Sequence, residues 1–358
     1  MTFFYLLLAV LIFGFLIFIH EFGHFLTAKL SGVRVNEFAI NMGPKLFGWK
    51  RGETQYSFRL LPIGGYCAME GEDEDTGDSR CFVNAAWWKR LIILCAGSFM
   101  NLLTGFVVIC LLLAFAYPGT PTAEITSFVP GNVMESQGLQ AGDTLYAING
   151  HRIYQFSDFL LLESRLNTEH CELTVLRDGE KVVFEDFSLT RSAEVTEEDG
   201  TTSKKLGLNF GIRAGKDFFS ILRYGAYECI DFTRMVWYGL TDIFTGKAGL
   251  NDIGGVVSVV DVMVQSGESA STVSAGIVNV LYFAAFIAVN LAVMNMLPIP
   301  ALDGGRVLFL LINTLFTAIT GKKINPKYEG YIHAAAMVLL LGLMAVLLVK
   351  DVLMIARR

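Results

Sequence analysis

Charge is scarce in this sequence, and no sign of charge is in excess on the basic side. Asp, Glu, Lys and Arg make up 17% of the 358 residues, and 28 basic against 34 acidic residues leave a formal net charge of -6. A nucleic-acid partner therefore has no electrostatic support. None of the six cysteines (Cys67, Cys81, Cys95, Cys110, Cys171 and Cys229) belongs to a C-x-x-C pair. That removes a zinc knuckle and a dithiol redox motif, and no structural disulfide is expected. The stretch Met1 to Ile19 has no charge at all. It lacks the basic start and the A-x-A site of a cleavable signal peptide, so it is expected to stay as a span. What is abundant is apolar surface. With 53% hydrophobic residues and a mean hydropathy of +0.50, the chain is too apolar for an ordinary soluble protein. Several membrane spans and at least one water-soluble part are expected.

Directly behind the first apolar run lies His20-Glu21-Phe22-Gly23-His24, an H-E-x-x-H pattern. Residues four apart share a helix face, so His20 and His24 can grip one metal ion, with Glu21 close enough to act on a water. Zinc suits two imidazoles, a third protein ligand and an open position for water. The alternative is a pair of histidines capping a membrane helix at headgroup level. Two His and a Glu inside an apolar segment are costly, however, and such groups usually face a protein interior and do something there.

Along the chain, residues 1–31 read as one transmembrane helix ended by Ser31-Gly32. Residues 32–90 read as a loop on one side of the membrane. Thr54–Leu61 alternates like a strand, Phe38 to Pro44 is a second extended candidate, and Pro62-Ile63-Gly64-Gly65-Tyr66 follows. This is either a surface hairpin or a sheet edge able to receive an extended peptide. Its basic residues, with Lys322, Lys323 and Lys327 further on, place this side in the cytoplasm by the positive-inside rule. The final Arg357-Arg358 argues weakly the other way. Residues 91–117 are the second span, within which Asn101 reads as helix–helix glue. Residues 118–212 form a β-rich soluble domain, with Ser157 expected to cap a helix and 192–205 expected to be a mobile loop. Residues 213–271 are an aromatic-rich amphipathic segment, which either lies on the membrane surface or packs on the soluble domain. Residues 272–320 are the third transmembrane segment, broken at Asn295-Met296-Leu297-Pro298-Ile299-Pro300-Ala301-Leu302-Asp303-Gly304. Two prolines two apart cannot continue a helix, and such backbone survives at membrane depth only where protein or a cavity satisfies it. Asp303 beside an apolar run wants a cation. The proposed third metal ligand is therefore Asp303, against a salt bridge to Arg306. Residues 321–358 hold a cytoplasmic loop and the fourth span.

Together these pieces resemble the site-2 protease family of intramembrane zinc metalloproteases, in the bacterial regulator-of-sigma-E branch with one PDZ domain. His20 to His24 matches the family's first motif. Residues 295–304 match its N-x-x-P-x-P-x-L-D-G run, Gly64-Gly65-Tyr66 its G-G-Y, and Gly138-Leu139-Gln140-Ala141-Gly142-Asp143 its PDZ-domain loop. Ala96-Gly97-Ser98 departs from the usual A-G-P. The resemblance implies an α-helical membrane protein of four spans, with a membrane-associated cytoplasmic β-hairpin and an inserted extracytoplasmic PDZ domain. It implies one zinc ion on His20, His24 and Asp303, and Glu21 as catalytic base. It also implies Asn295 as a substrate or oxyanion contact, and Pro298, Pro300, Gly64, Gly65 and Tyr66 at the substrate. The implied substrates are single-span membrane proteins, such as anti-sigma factors or signal-peptide remnants, first trimmed by a site-1 protease. The implied location is a bacterial inner membrane. The competing functions are a catalytically inactive PDZ-bearing scaffold and a metal transporter. The intact Glu21 argues against the scaffold, and the lack of internal repeats against the transporter.

Overall fold

The structure is a computed structural model that describes residues 1–72, 76–166, 168–196, 202–213, 217–249, 252–322 and 326–356. Lys323 and Arg357-Arg358, which bear on orientation by charge, lie outside the described residues. The chain divides into two compact units, Met1–Ile109 with Val236–Arg358, and Cys110–Met235.

The first unit is built on α1 (Thr2–Ser31). Thirty residues at 1.5 Å each make it about 45 Å long, more than a hydrocarbon core requires. Gly32 ends it in the left-handed region at φ 82°, its N–H returning to the carbonyls of Ala28 and Lys29. A folded-over hairpin follows, β1 (Val35–Arg51) against β2 (Thr54–Met69). Gln55–Phe58 pair with both Glu37–Ile40 and Phe47–Lys50, so the stretch expected as a possible edge is interior, and Gly65–Met69 forms the outer strand. Both strands run well past the expected 38–44 and 54–61. Bulges absorb the turn residues, with Asn41 at φ 68° and Gly43 at φ 84°, so the strands continue through what reads in sequence as punctuation. Then come α2 (Trp87–Phe115), β3 (Thr120–Phe128), β4 (Thr144–Ile148), β5 (His151–Arg152), α3 (Phe156–Glu163), β6 (Cys171–Arg177), β7 (Glu180–Phe187), β8 (Ala193–Thr196), β9 (Thr202–Lys205), β10 (Leu208–Arg213), α4 (Phe218–Phe244), α5 (Val256–Glu268), α6 (Val273–Asn295), α7 (Asp303–Thr320) and α8 (Pro326–Ala356). Among the described residues, four helical stretches are long and apolar enough to cross a membrane: Thr2–Ser31, Trp87–Phe115, Val273–Asn295 and Tyr328–Met354.

Small residues bring the helices of the first unit together. The Tyr5 ring of α1 lies against Gly267 of α5 and Gly276 of α6, where any side chain would collide with it. Sequence reading merges α5 into the 213–271 segment, yet the structure buries Met263, Val264 and Gly267 of this separate helix. Its start is held from α8, where the buried Asp351 accepts the Ser258 N–H at 2.9 Å. At the hairpin end, Val33, Val35, Phe38, Cys67 and Met69 pack with Ile93 of α2 and Leu310 of α7.

The second unit centres on an antiparallel sheet of order β10-β3-β4-β6-β7, with β5 paired to β4. Ile125, Leu145, Ile148, Phe159, Leu173 and Phe187 fill its core. Asp143, at the end of the Gly138–Asp143 loop, is buried and held by Arg177 through bonds of 2.7 and 2.8 Å. Two local expectations are corrected. Within 192–205, Ala193–Thr196 pairs with Thr202–Lys205 rather than forming only a loop. The cap of α3 is Gln155, in a capping box with Asp158, not Ser157, which lies inside the helix. Both caps are polar residues two apart, and tertiary contacts choose between them: Asp158 is bound by Arg234 of α4 at 2.7 Å.

The part of α4 in this unit packs on it through Phe232 and through Tyr227, whose ring stacks on Tyr154 at 4.8 Å. It also buries Asp231. Burial raises the Asp231 carboxyl to about 7, and the charges of Asp158 and Glu228 push the same way against the Ser157 hydroxyl. A folded pKa above the unfolded one means folding takes up a proton. The contribution is complete below the unfolded value near 4 and is lost as pH rises through about 7. Amide exchange at Phe159 and Leu162 in the full chain, corrected for intrinsic rates, should therefore show several-fold more opening at pH 8 than at pH 5. The Asp231→Asn variant should abolish that difference. Equal protection of the unsubstituted chain at both pH values would contradict the assignment.

Candidate active site

The two histidines of α1 and the first residue of α7 meet although 279 positions separate His24 from Asp303. Asp303 Oδ2 lies 3.1 Å from His20 Nε2 and 3.3 Å from His24 Nε2, and the two Nε2 atoms are 3.2 Å apart. Asp303 Oδ2 is buried and has no hydrogen-bond partner. Three lone-pair-bearing atoms thus converge with too few protons to bond one another, and a shared cation relieves that conflict. The spacing also fits. Donors about 2.0–2.1 Å from a tetrahedral zinc lie about 3.3 Å from each other. Among the described residues this is the one His, Cys, Asp and Glu cluster able to hold a metal ion.

The surroundings prepare the imidazoles for that task. His24 Nδ1 lies 2.8 Å from the Ile93 carbonyl, which makes it the protonated nitrogen and leaves Nε2 bare. His20 Nδ1 lies 3.5 Å from the amide nitrogens of Asn101 and Asn295. Asn101 Oδ1 is buried without a partner, and turning that amide end for end would give a protonated His20 Nδ1 its acceptor. Asn101, read from sequence as helix–helix glue, does link α2 to α1, and the residue it meets there is His20. Glu21 is within electrostatic reach of His20, His24, Asp303 and Glu72.

Gly97 is the residue whose role sequence reading misses. A methyl group there would overlap His24 Nε2 and come within 2.6 Å of His20 Cε1. The backbone of α2 therefore lies flush against both rings, and glycine is required for the approach. A glycine inside an apolar span was the available signal, but nothing in sequence says which neighbour it faces.

The remaining expected residues divide. Gly65 passes beside Glu21: a side chain there would lie 3.2 Å from Glu21 Cγ and 3.0 Å from the Ala39 carbonyl. Gly64, at φ 77°, lies against Met42 instead. Tyr66 interacts with Glu37 and lies under Arg59, whose guanidinium carbon is 5.2 Å from the ring centre. Burial and the Glu37 carboxylate push its phenol up to about 12, so it stays protonated. Asn295 closes α6 beside His20, whereas Pro298 and Pro300 lie in the connector to α7. In that connector Ala301 adopts φ 78°, a left-handed conformation that costs a non-glycine residue about 1–2 kcal/mol. The rival partner for Asp303 is otherwise engaged, since Arg306 forms an ion pair with Glu72.

Comparison with known proteins places the chain in a family. A model of peptidase family M50 matches residues 8–343. A protein of Clostridium acetobutylicum, provisionally named a zinc metalloprotease, is 36% identical over 98% of each chain. Zinc metalloprotease RasP of Shouchella clausii is 30% identical, covering 97% of this chain and 98% of its own. Regulator of sigma-W protease RasP of Bacillus subtilis is 28% identical over 96% and 97%. The chain belongs to peptidase family M50, the site-2 proteases. It is a zinc-dependent metallopeptidase.

Because Gly97 leaves no space beside the rings, Gly97→Ala should force α2 away from α1. Overpacking of this kind costs about 1–3 kcal/mol, or about tenfold or more in a binding constant. Zinc remaining after challenge of the purified variant with a competing chelator, measured by mass spectrometry, should fall below that of the unsubstituted protein, with proteolysis reduced in step. Undiminished zinc content and activity would show that the rings do not depend on this approach.

Proposed function

We propose that the chain cuts single-span membrane proteins within or next to their membrane segments, with His20, His24 and Asp303 holding the zinc ion and Glu21 acting as general base. The observation that carries this is the convergence of His20, His24 and Asp303 around the buried, unpartnered Asp303 Oδ2. Zinc, when bound, supplies Lewis acidity toward water and the scissile carbonyl. Glu21 takes a proton from the attacking water and passes it to the leaving amine. The Asn295 amide, 3.5 Å from His20, is placed to donate to the substrate carbonyl as it gains negative charge.

A helical substrate hides its carbonyls in its own hydrogen bonds and must unwind before attack. The hairpin offers replacement bonds: β2 passes Glu21 at Gly65, and an extended segment added to it would lie at the site. Gly64, Gly65 and Tyr66, with Pro298 and Pro300 in the opposing connector, are the proposed substrate-facing elements. The β-rich unit is read as a PDZ domain on the strength of its sheet and its Gly138–Asp143 loop. The basic residues around the hairpin support an active site facing the cytoplasm of a bacterial cell, with the β-rich unit outside and the chain in the inner membrane. The name of the Bacillus subtilis relative, a regulator of sigma-W protease, supports anti-sigma factors among the substrates. Their trimming beforehand by an upstream protease rests on the family resemblance.

Two experiments with a reconstituted single-span substrate test this. Glu21→Gln should retain zinc while losing about 10²–10⁴-fold in cleavage, the range typical of a general base. Cleavage equal to the unsubstituted enzyme would remove Glu21 from the chemistry. Because Gln55–Phe58 are paired on both sides, the edge open to an added strand is the Gly65–Met69 part of β2. A proline placed there, between Tyr66 and Ala68, should slow cleavage without changing zinc content, and unaffected cleavage would dismiss strand addition.

A further inference from the structure

The connector from α6 to α7 delivers Asp303, and its backbone donors can be followed one at a time. Pro298 and Pro300 have no N–H. The Leu297 N–H donates to the Met294 carbonyl at 3.1 Å, the Ile299 N–H to Leu297 at 2.7 Å, and the Leu302 N–H to Ile299 at 3.2 Å. The Ala301 N–H alone leaves the segment, donating to His333 Nδ1 on α8 at 2.8 Å. Ala301 is also the connector residue with positive φ, at 78°. The bond to His333 thus fixes the residue with most reason to relax, two positions before Asp303. The His333 ring is itself seated, 5.3 Å from the ring of Phe309 on α7 and only 13% exposed.

We propose that His333 is a positioning residue for the proteolytic site: its Nδ1 pins Ala301 in the left-handed conformation and so aims the Asp303 carboxylate at His20 and His24. This rests on the reading of Asp303 as a zinc ligand. The bond requires a neutral ring protonated on Nε2, because a doubly protonated imidazole has no acceptor. Glu329, one turn back on α8, lies 3.9 Å from that Nε2 and favours this tautomer. His333 also lines a cavity of about 600 Å³ with Glu72, Arg306, Asn313 and Glu329. That space leaves room for side chains of similar size at position 333, so comparing variants with and without a correctly placed acceptor separates the hydrogen bond from packing.

Three variants of the full-length protein separate the two. Asparagine carries its carbonyl oxygen two bonds beyond Cβ, where Nδ1 sits; glutamine carries it one bond too far; leucine has no acceptor. The readouts are the rate of zinc loss to a chelator and the rate of substrate cleavage. His333→Leu and His333→Gln should lose zinc about 10–100-fold faster and cleave correspondingly slower, the usual cost of losing a residue that orients a ligand. His333→Asn should stay near the unsubstituted protein in both. Three variants that all behave like the unsubstituted protein would overturn the proposal. So would three equally impaired variants, which would mark a packing role. Asp303→Asn serves as the reference. If it keeps zinc normally, the ligand assignment itself fails; if it loses zinc while the His333 variants do not, only the role of His333 fails.

Discussion

Two imidazole nitrogens and a carboxylate oxygen are held about 3 Å apart in a largely buried place, and the rest of the first unit answers to that constraint. Such an arrangement is unfavourable without a cation, since each atom has lone pairs and no compensating proton. It persists because each contributor is fixed from outside the cluster. The Ile93 carbonyl orients His24, the α2 backbone at Gly97 flanks both rings, and the connector turns Asp303 inward. A zinc ion held by these three atoms, as proposed, would complete the fold of the site as well as its chemistry.

The environment makes the demand sharper. Peptide hydrolysis needs water, charge and an unwound substrate, and lipid tolerates none of them. The chain meets this by breaking its own helix beside the site. α6 stops at Asn295 and α7 begins at Asp303, so polar backbone lies beside the His20–His24–Asp303 cluster, where the proposed function has the substrate backbone received. Backbone donors that would be costly in lipid are consumed by short turns and by His333. The hairpin meets the site from another direction, through the backbone of Gly65 beside Glu21.

Much of this was legible in sequence because the chemistry is locally written. H-E-x-x-H puts two imidazoles on one helix face by geometry alone, and a carboxylate after two prolines in an apolar stretch is costly unless a cation meets it; the structure brings these three side chains together. The four apolar helices and the β-rich unit follow from hydropathy and turn residues. What was not legible depends on contacts between distant segments. Gly97 and Asn101 look like ordinary features of a packed span until the neighbouring helix is known. Nothing in the sequence singles out His333, whose contact is with Ala301, 32 positions before it. Helix α5 was hidden because its short amphipathic pattern runs on from the preceding segment, whereas its identity comes from packing on Tyr5 and from the Asp351 cap. Ser157 and Gln155 compete as caps on equal local terms, and Arg234 on Asp158 decides between them.

The most direct examination of the central claim is X-ray absorption at the zinc edge of the purified, zinc-loaded full-length protein. Two histidine imidazoles and a carboxylate oxygen at about 2.0–2.2 Å, with the carboxylate lost in Asp303→Ala, is the predicted spectrum. A sulfur shell at about 2.3 Å, or a ligand set unchanged by Asp303→Ala, would contradict it.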